Sequence, residues 1–197
     1  MDKLGVKLNA SGIPEYDPNT MQVGDLPIFI AGDVDGDRAI LHEAGDEGRI
    51  AGYNAAHDAR KAFRRKVPLS ITFTDPNIVM VGETWQELQD RDDVVTAEMP
   101  MGPVGRALIT TKNKGIIRLY ADKTSGKLLG ATIVAAKGEH LGHLLAWSME
   151  QGLTVHDLLR MPFYHPTIEE GLQAALYNLL KEVEPVQTPL LELTELD

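Results

Sequence analysis

"IFIAGDVDGDRAI", residues 28–40, is the stretch on which the fold turns. Ile28, Phe29 and Ile30 form a short apolar run that ends at Ala31-Gly32, the pattern of a buried strand whose carboxyl end presents Asp33. In open α/β sheets that edge is where ligands sit. The three alternating aspartates also invite a calcium-loop reading. Counting from Asp33, however, Arg38 and Ala44 occupy the places where such a loop needs its sharp-turn glycine and its closing bidentate glutamate. The strand reading therefore leaves Asp33 at the edge where a ligand would sit.

Outward from this stretch, the segment up to residue 27 carries turn signals ("NASGIPEYDPNT") and reads as a short hairpin. From about Arg38 to Arg65 the pattern is helical. Ala44, Gly48, Ala51, Gly52, Ala55 and Ala56 keep one side of that helix small, which suits either close packing on a sheet or the approach of a ligand. At Val67-Pro68 the character changes. "LSITFT" and "IVMVG" read as strands, and "ETWQELQ" as a helix with Thr84 as N-cap and Glu87 at the capping-box position. "RALIT", "GIIRLYA" and "LLGATIVA" follow as strand-like runs. Helices return over "GEHLGHLLAWSMEQG", closed by Gly152, then over "TVHDLLR" and "IEEGLQAALYNLLKEVE". The order predicts an α+β chain: the end of an α/β domain over 1–66, then a domain over 67–197 with an antiparallel sheet covered by helices. The acidic tail from Pro185 is expected to be mobile unless a partner subunit ties it down.

Composition narrows the function. The 197 residues are 43% hydrophobic, enough for a real core, and the formal net charge is -10. An acidic chain lacks the basic footprint that nucleic acid or an anionic membrane surface requires. No run reaches membrane-spanning length and the start carries no signal-peptide core, so cytoplasmic residence is expected. Cysteine is absent, so any thiol chemistry must draw its sulfur from elsewhere.

"FYHPTIEEGL", residues 163–172, is the second informative stretch. Pro166 keeps His165 out of helical geometry, and Thr167 reads as the N-cap of the last helix with Glu170 at its third position. Two readings stay open on spacing alone. Glu170 can lean back to the His165 imidazole and fix its tautomer, forming a general acid/base dyad, or it can close a plain capping box on Thr167. His140 and His143, beside Glu139, read as solvated helix-start residues rather than a metal pair. His42, His57 and His156 have no constellation of their own, and no phosphate-cradling glycine loop, GxGxxG or GxSxG is present.

Three stretches together resemble one family. "IFIAGDV" with "ILHEAGDEGRIAG" resembles the second flavin-binding segment of the pyridine nucleotide-disulfide oxidoreductases. "ITFTDPNIVMVGET" resembles the start of their dimerisation domain, and "RMPFYHPTIEEGL" their histidine-glutamate motif. Within the family the likeness is to the dihydrolipoamide dehydrogenase branch. The resemblance implies that residues 1–66 are the C-terminal segment of an FAD-binding domain and 67–197 an interface domain of a homodimer. It implies that Gly32 and Asp33 meet the ribityl chain of FAD, that Asp35 and Asp37 are solvated loop residues, and that Ile40, Leu41 and His42 face the isoalloxazine ring. It implies that His165 is the catalytic base, oriented by Glu170, serving the other subunit's redox disulfide, with electrons passing through FAD to NAD+. A dihydrolipoyl substrate and a 2-oxo acid dehydrogenase complex as partner follow from the same likeness. Phe163 and Tyr164 stand where that branch commonly has His-Ala, and Leu41 stands where a small residue is usual. The family's glycine motif, CxxxxC disulfide and nicotinamide-binding domain are expected upstream. The chain by itself is then expected to bind FAD poorly and to be inactive. The alternatives are a glutathione-reductase-like disulfide reductase portion and a non-catalytic dimerisation module.

Overall fold

The computed structural model describes residues 5–185 and Leu193. The tail expected to be mobile lies, apart from Pro185 and Leu193, outside the described residues. Contacts divide the chain after Lys66 into two compact units.

The first unit begins with a small hairpin, β1 (Tyr16–Asp17) and β2 (Gln22–Val23), with Tyr16 opposite Val23. Asp17 closes the turn, its Oδ1 accepting from the Asn19 N–H at 2.8 Å and its Oδ2 from the Thr20 hydroxyl at 3.1 Å. The run Ile28–Ile30 is not the buried strand expected. It makes one isolated bridge, Phe29 to Gln22, flanked by bonds from Val23 N–H to Ile28 O and from Ile30 N–H to Met21 O, and its side chains are half-buried. The run has β2 as its neighbour on one edge, and among the described residues no strand pairs with the other.

A 3-10 turn at Asp33–Asp35 leads to helix α1 (Leu41–Ala55). The helix ends ten residues before the expected Arg65, for a local reason. Arg60 Nη1 donates to the carbonyls of Asn54 and His57, capping the last turn. The Asn54 side chain then accepts from Lys61 N–H at 2.8 Å and donates to Lys61 O at 2.9 Å, folding the chain back. The buried face of α1 is also not the small one: it carries Glu43, Glu47, Ile50 and Asn54. Gly48 and Gly52 lie exposed with open space around them.

The second unit is a five-stranded antiparallel sheet: β3 (Leu69–Thr72), β4 (Asn77–Gly82), β5 (Val94–Pro100), β6 (Ile116–Asp122) and β7 (Leu128–Ala135), in the order β3-β4-β7-β6-β5. Its helices are α2 (Trp85–Leu88), α3 (Gly105–Ile109), α4 (Gly138–Glu150), α5 (Val155–Leu159) and α6 (Glu169–Leu180). Register builds the core. Val79, Ile133, Ile117 and Met99 form one cross-strand row and Val81, Ala131, Leu119 and Ala97 the next. Leu141 and Leu145 of α4 and Leu172, Leu176 and Leu179 of α6 belong to the same buried cluster. Gly142 lets α4 approach closely, since a Cβ there would stand 2.7 Å from Val79 Cγ1.

"RALIT" is helical rather than extended. Val104 and Ala107, three apart, are buried while Leu108 and Ile109 are exposed, which is helical spacing on one face. The edge strand of the meander is instead β5, where Val95, Ala97 and Met99 face inward and Thr96 and Glu98 outward. The expected cap at Thr84 and the expected stop at Gly152 are present, and a second box adds to them. Thr84 with Glu87 and Thr154 with Asp157 form reciprocal capping boxes, and Gly152 ends α4 with φ 69°.

Candidate functional site

Helix α5 ends at Leu159 and α6 begins at Glu169, so His165 lies on the loop between them. The residue before a proline avoids helical geometry, and Pro166 holds His165 clear of the helix start. Its side chain is 78% exposed. Glu170 Oε1 lies 2.6 Å from His165 Nδ1, and Glu170 Oε2 accepts the Thr167 N–H at 2.9 Å. The two readings left open by spacing are thus divided between two oxygens of one carboxylate. The cap itself differs from the one expected. Ile168 is the N-cap and Glu170 the second helical residue, because the Thr167 hydroxyl donates to Tyr164 O at 2.8 Å instead of capping the helix. The His165 hydrogen bond, then the Thr167 amide, hold the Glu170 carboxyl below its ordinary value. An ionised acceptor at Nδ1 keeps the proton on that nitrogen and leaves Nε2 with a free lone pair. The arrangement is that of a base whose tautomer and orientation are fixed.

Beside the dyad opens an apolar groove of about 440 Å³ lined by Leu144, Ser148, Leu158, Met161, Phe163 and Tyr164, among others. Tyr164 is 81% exposed and Trp147, three residues beyond Leu144 on α4, is 65% exposed.

The second set of candidates gathers in the first unit, around the start of α1. Gly32 precedes the 3-10 turn at φ 81°, a left-handed conformation natural to glycine, and Asp33 is exposed. Asp35 is not the solvated residue expected: it is 4% exposed, and its Oδ1 accepts the Asp37 N–H at 2.9 Å. Burial, then the neighbouring Asp35 carboxylate, push the Tyr16 phenol up to about 12. Asp35 thus holds the loop through the Asp37 amide while Asp33 is exposed. Ile40 is the extended N-cap of α1 and offers no side-chain cap; Leu41 is 90% exposed, and His42 Nε2 stands 3.9 Å from Glu43 Oε1. The donor set suits FAD. An exposed carboxylate can accept from ribityl hydroxyls, and the uncapped amides and positive end of a 15-residue helix can face an electron-rich ring edge.

Sequence reasoning missed Glu47 and Arg65. Glu47 is fully buried, its Oε2 accepting the Gly32 N–H at 2.6 Å and its Oε1 the Arg65 Nη2–H at 2.7 Å. Arg65 Nη2 also reaches Glu43 Oε2 at 2.6 Å. A glutamate on the helical period of Ile50 and Asn54 was the only signal. Among the described residues no group of three or more His, Asp or Glu side chains is arranged to hold a metal ion, and no helix is long and apolar enough to cross a membrane.

Residues 68–176 match the dimerisation domain of the pyridine nucleotide-disulphide oxidoreductases. The chain belongs to that family. Among family relatives, the dihydrolipoyl dehydrogenase of Haloferax volcanii is 36% identical over 155 residues, covering 78% of this chain and 32% of that protein. A mercuric reductase of Bacillus cereus is 32% identical over 183 residues, covering 91% of this chain and 28% of its own. The chain thus spans about a third of the length of these relatives. Solved structures share the fold. LpdA from Mycobacterium tuberculosis superposes with a TM-score of 0.75 at 22% identity, over 90% of this chain and 39% of that one. The flavoprotein disulfide reductase RclA from Escherichia coli gives 0.72 at 22% identity, over 88% and 40%. The family is flavin-dependent, and its interface-domain fold is the α+β arrangement described above.

Proposed function

We propose that this chain supplies the acid/base dyad and the dimer interface of a dihydrolipoyl dehydrogenase. The observation that carries the reading is the exposed His165 imidazole held through Nδ1 by Glu170 at 2.6 Å. In this reading residues 1–66 complete an FAD-binding domain, and residues 67–197 form the interface domain. Gly32 and Asp33 hold the ribityl chain, and the backbone at Ile40, Leu41 and His42 faces the ring. FAD when bound supplies a two-electron acceptor, with NAD+ as the final oxidant.

The chain's own part in the reaction is proton management. Oxidising a dithiol to a disulfide removes two electrons and two protons. His165 Nε2 takes the proton of the attacking thiol, and the thiolate then opens a redox disulfide outside this chain, which has no cysteine. Glu170 stays ionised throughout, keeps the ring oriented and stabilises the imidazolium. A homodimer aligned on α4 brings Leu144, Trp147, Met161 and Tyr164, all partly exposed, into an interface contiguous with the loop that carries His165. Cytoplasmic residence and a 2-oxo acid dehydrogenase complex as host belong to the same reading.

Relatives bearing two names favour a second reading, a mercuric reductase-type enzyme. Mercuric ion is soft and prefers thiolate ligands, and this chain contributes none. A glutathione-reductase-like role uses the same dyad. A non-catalytic dimerisation module would have little use for a histidine fixed by a carboxylate and left exposed. Turnover of the flavin-loaded holoenzyme containing this chain, with dihydrolipoamide and NAD+, glutathione disulfide and NADPH, and mercuric ion and NADPH, separates these readings. Fast dihydrolipoamide oxidation with the other two slow is the expected result; the reverse ranking overturns the assignment.

A further inference from the structure

Glu47 lies at the centre of a charged network that no catalytic step above uses. It sits on the inner face of α1, fully buried, yet its nearest donors come from two distant places in the sequence: the Gly32 amide, fifteen residues before it, and Arg65, eighteen after. Arg65 is 13% exposed and uses the same Nη2 for Glu43, whose other oxygen lies 3.3 Å from Arg38 Nη1. The carboxylate has therefore spent one oxygen on a guanidinium that fixes it and the other on a single backbone N–H. That N–H opens the turn presenting Asp33. The turn continues through Asp35 N–H to Gly32 O at 2.9 Å, and the buried Asp35 closes it on Asp37. Gly32 is thus tied to the middle of α1, whose first turn carries Ile40, Leu41 and His42.

A bond from a backbone amide to a buried side-chain carboxyl oxygen is short, and its geometry passes directly to the next residue. We propose that Glu47, fixed by Arg65, is a positioning residue that locks the Gly32–Asp33 turn to helix α1, so that the ribityl-facing carboxylate and the ring-facing amides are held as one preorganised unit. This rests on the FAD reading of Asp33. A glutamine at 47 matches the size and must turn its NH2 toward one of two donors, so either the Gly32 bond or the Arg65 bond is lost.

The test compares Asp33→Asn, Glu47→Gln and Arg65→Lys in the flavin-loaded holoenzyme by FAD dissociation constant and visible circular dichroism of the bound flavin. Glu47→Gln should weaken FAD binding about tenfold or more and alter the flavin dichroism. Arg65→Lys should act in the same direction, and it decides the matter should Glu47→Gln fail to fold. A packing role alone would lower the melting temperature and leave the dichroism unchanged, which overturns the proposal. If Asp33→Asn weakens FAD binding while Glu47→Gln and Arg65→Lys leave both readouts at wild type, the positioning role is refuted and the cofactor reading stands. If Asp33→Asn changes nothing either, the cofactor reading itself fails and the positioning role falls with it.

Discussion

Glu170 binds His165 with one oxygen and the Thr167 amide with the other, at 2.6 and 2.9 Å. One carboxylate therefore sets both the tautomer of the exposed imidazole and the start of α6. The helix that positions the dyad is in turn fixed by Leu172, Leu176 and Leu179 in the core.

Replacing Glu170 by glutamine should separate these two duties. The amide oxygen can keep the Thr167 N–H, leaving an NH2 facing Nδ1, which must then act as acceptor and move the ring proton to Nε2. The base is lost with little change of shape. Dithiol oxidation by the holoenzyme should fall on the order of 10²–10⁴-fold, and ¹⁵N spectra of His165 should show the switched tautomer; an unchanged tautomer contradicts the role given to Glu170.

The pH response follows from the lowered Glu170 value. A carboxyl depressed in the folded state contributes stability that is present above its unfolded value, 4.5, and is lost as pH falls through the lower folded value. The His165 contact should therefore persist through mildly acidic pH. The stability difference between wild type and Glu170→Gln should shrink only below about pH 4.5, as read by denaturant titration across pH. A difference that shrinks between pH 6 and 7 instead would show that Glu170 is not the controlling group.

Core substitutions test the second unit. Leu145 and Leu176 are fully buried, one on each covering helix. Alanine at either should cost about 2–5 kcal/mol, the usual range for a cavity of that size. Gly142→Ala should cost about 1–3 kcal/mol by forcing α4 off Val79. Thermal unfolding measures both; a Gly142→Ala variant as stable as wild type would mean that α4 can shift freely.

The proposed interface makes a separate claim on α4. Trp147→Glu should weaken self-association by about 2 kcal/mol or more, roughly 30-fold in dissociation constant, as expected for a central aromatic. Analytical ultracentrifugation reads this directly. Wild-type association in the variant would move the interface elsewhere.

Much of the second unit is legible from local chemistry. The period-two alternation of β6 and β7 and the reciprocal caps at Thr84 and Thr154 depend on residues a few positions apart. The rest depends on distance in the sequence. The buried face of α1 carries Glu43, Glu47 and Asn54 beside a single apolar residue, Ile50, so hydrophobic periodicity does not mark it. The partner of Glu47 stands eighteen residues on at Arg65. Asp35 sits in an acidic loop like its neighbours, and only its burial together with the Asp37 N–H it accepts makes it an anchor. "RALIT" has strand composition, but Val104 and Ala107 meet the core at helical spacing. At His165 the geometry brings together the pair that the resemblance names, whereas spacing alone favoured the plain capping box.

The most direct measurement is rapid-reaction flavin reduction by dihydrolipoamide in wild-type and His165→Gln holoenzyme, with the NADH half-reaction as internal control. A loss on the order of 10²–10⁴-fold in the dithiol half-reaction, with the nicotinamide half-reaction unchanged, is predicted. Near-normal reduction by the dithiol in the variant would contradict the assignment of His165 as the base.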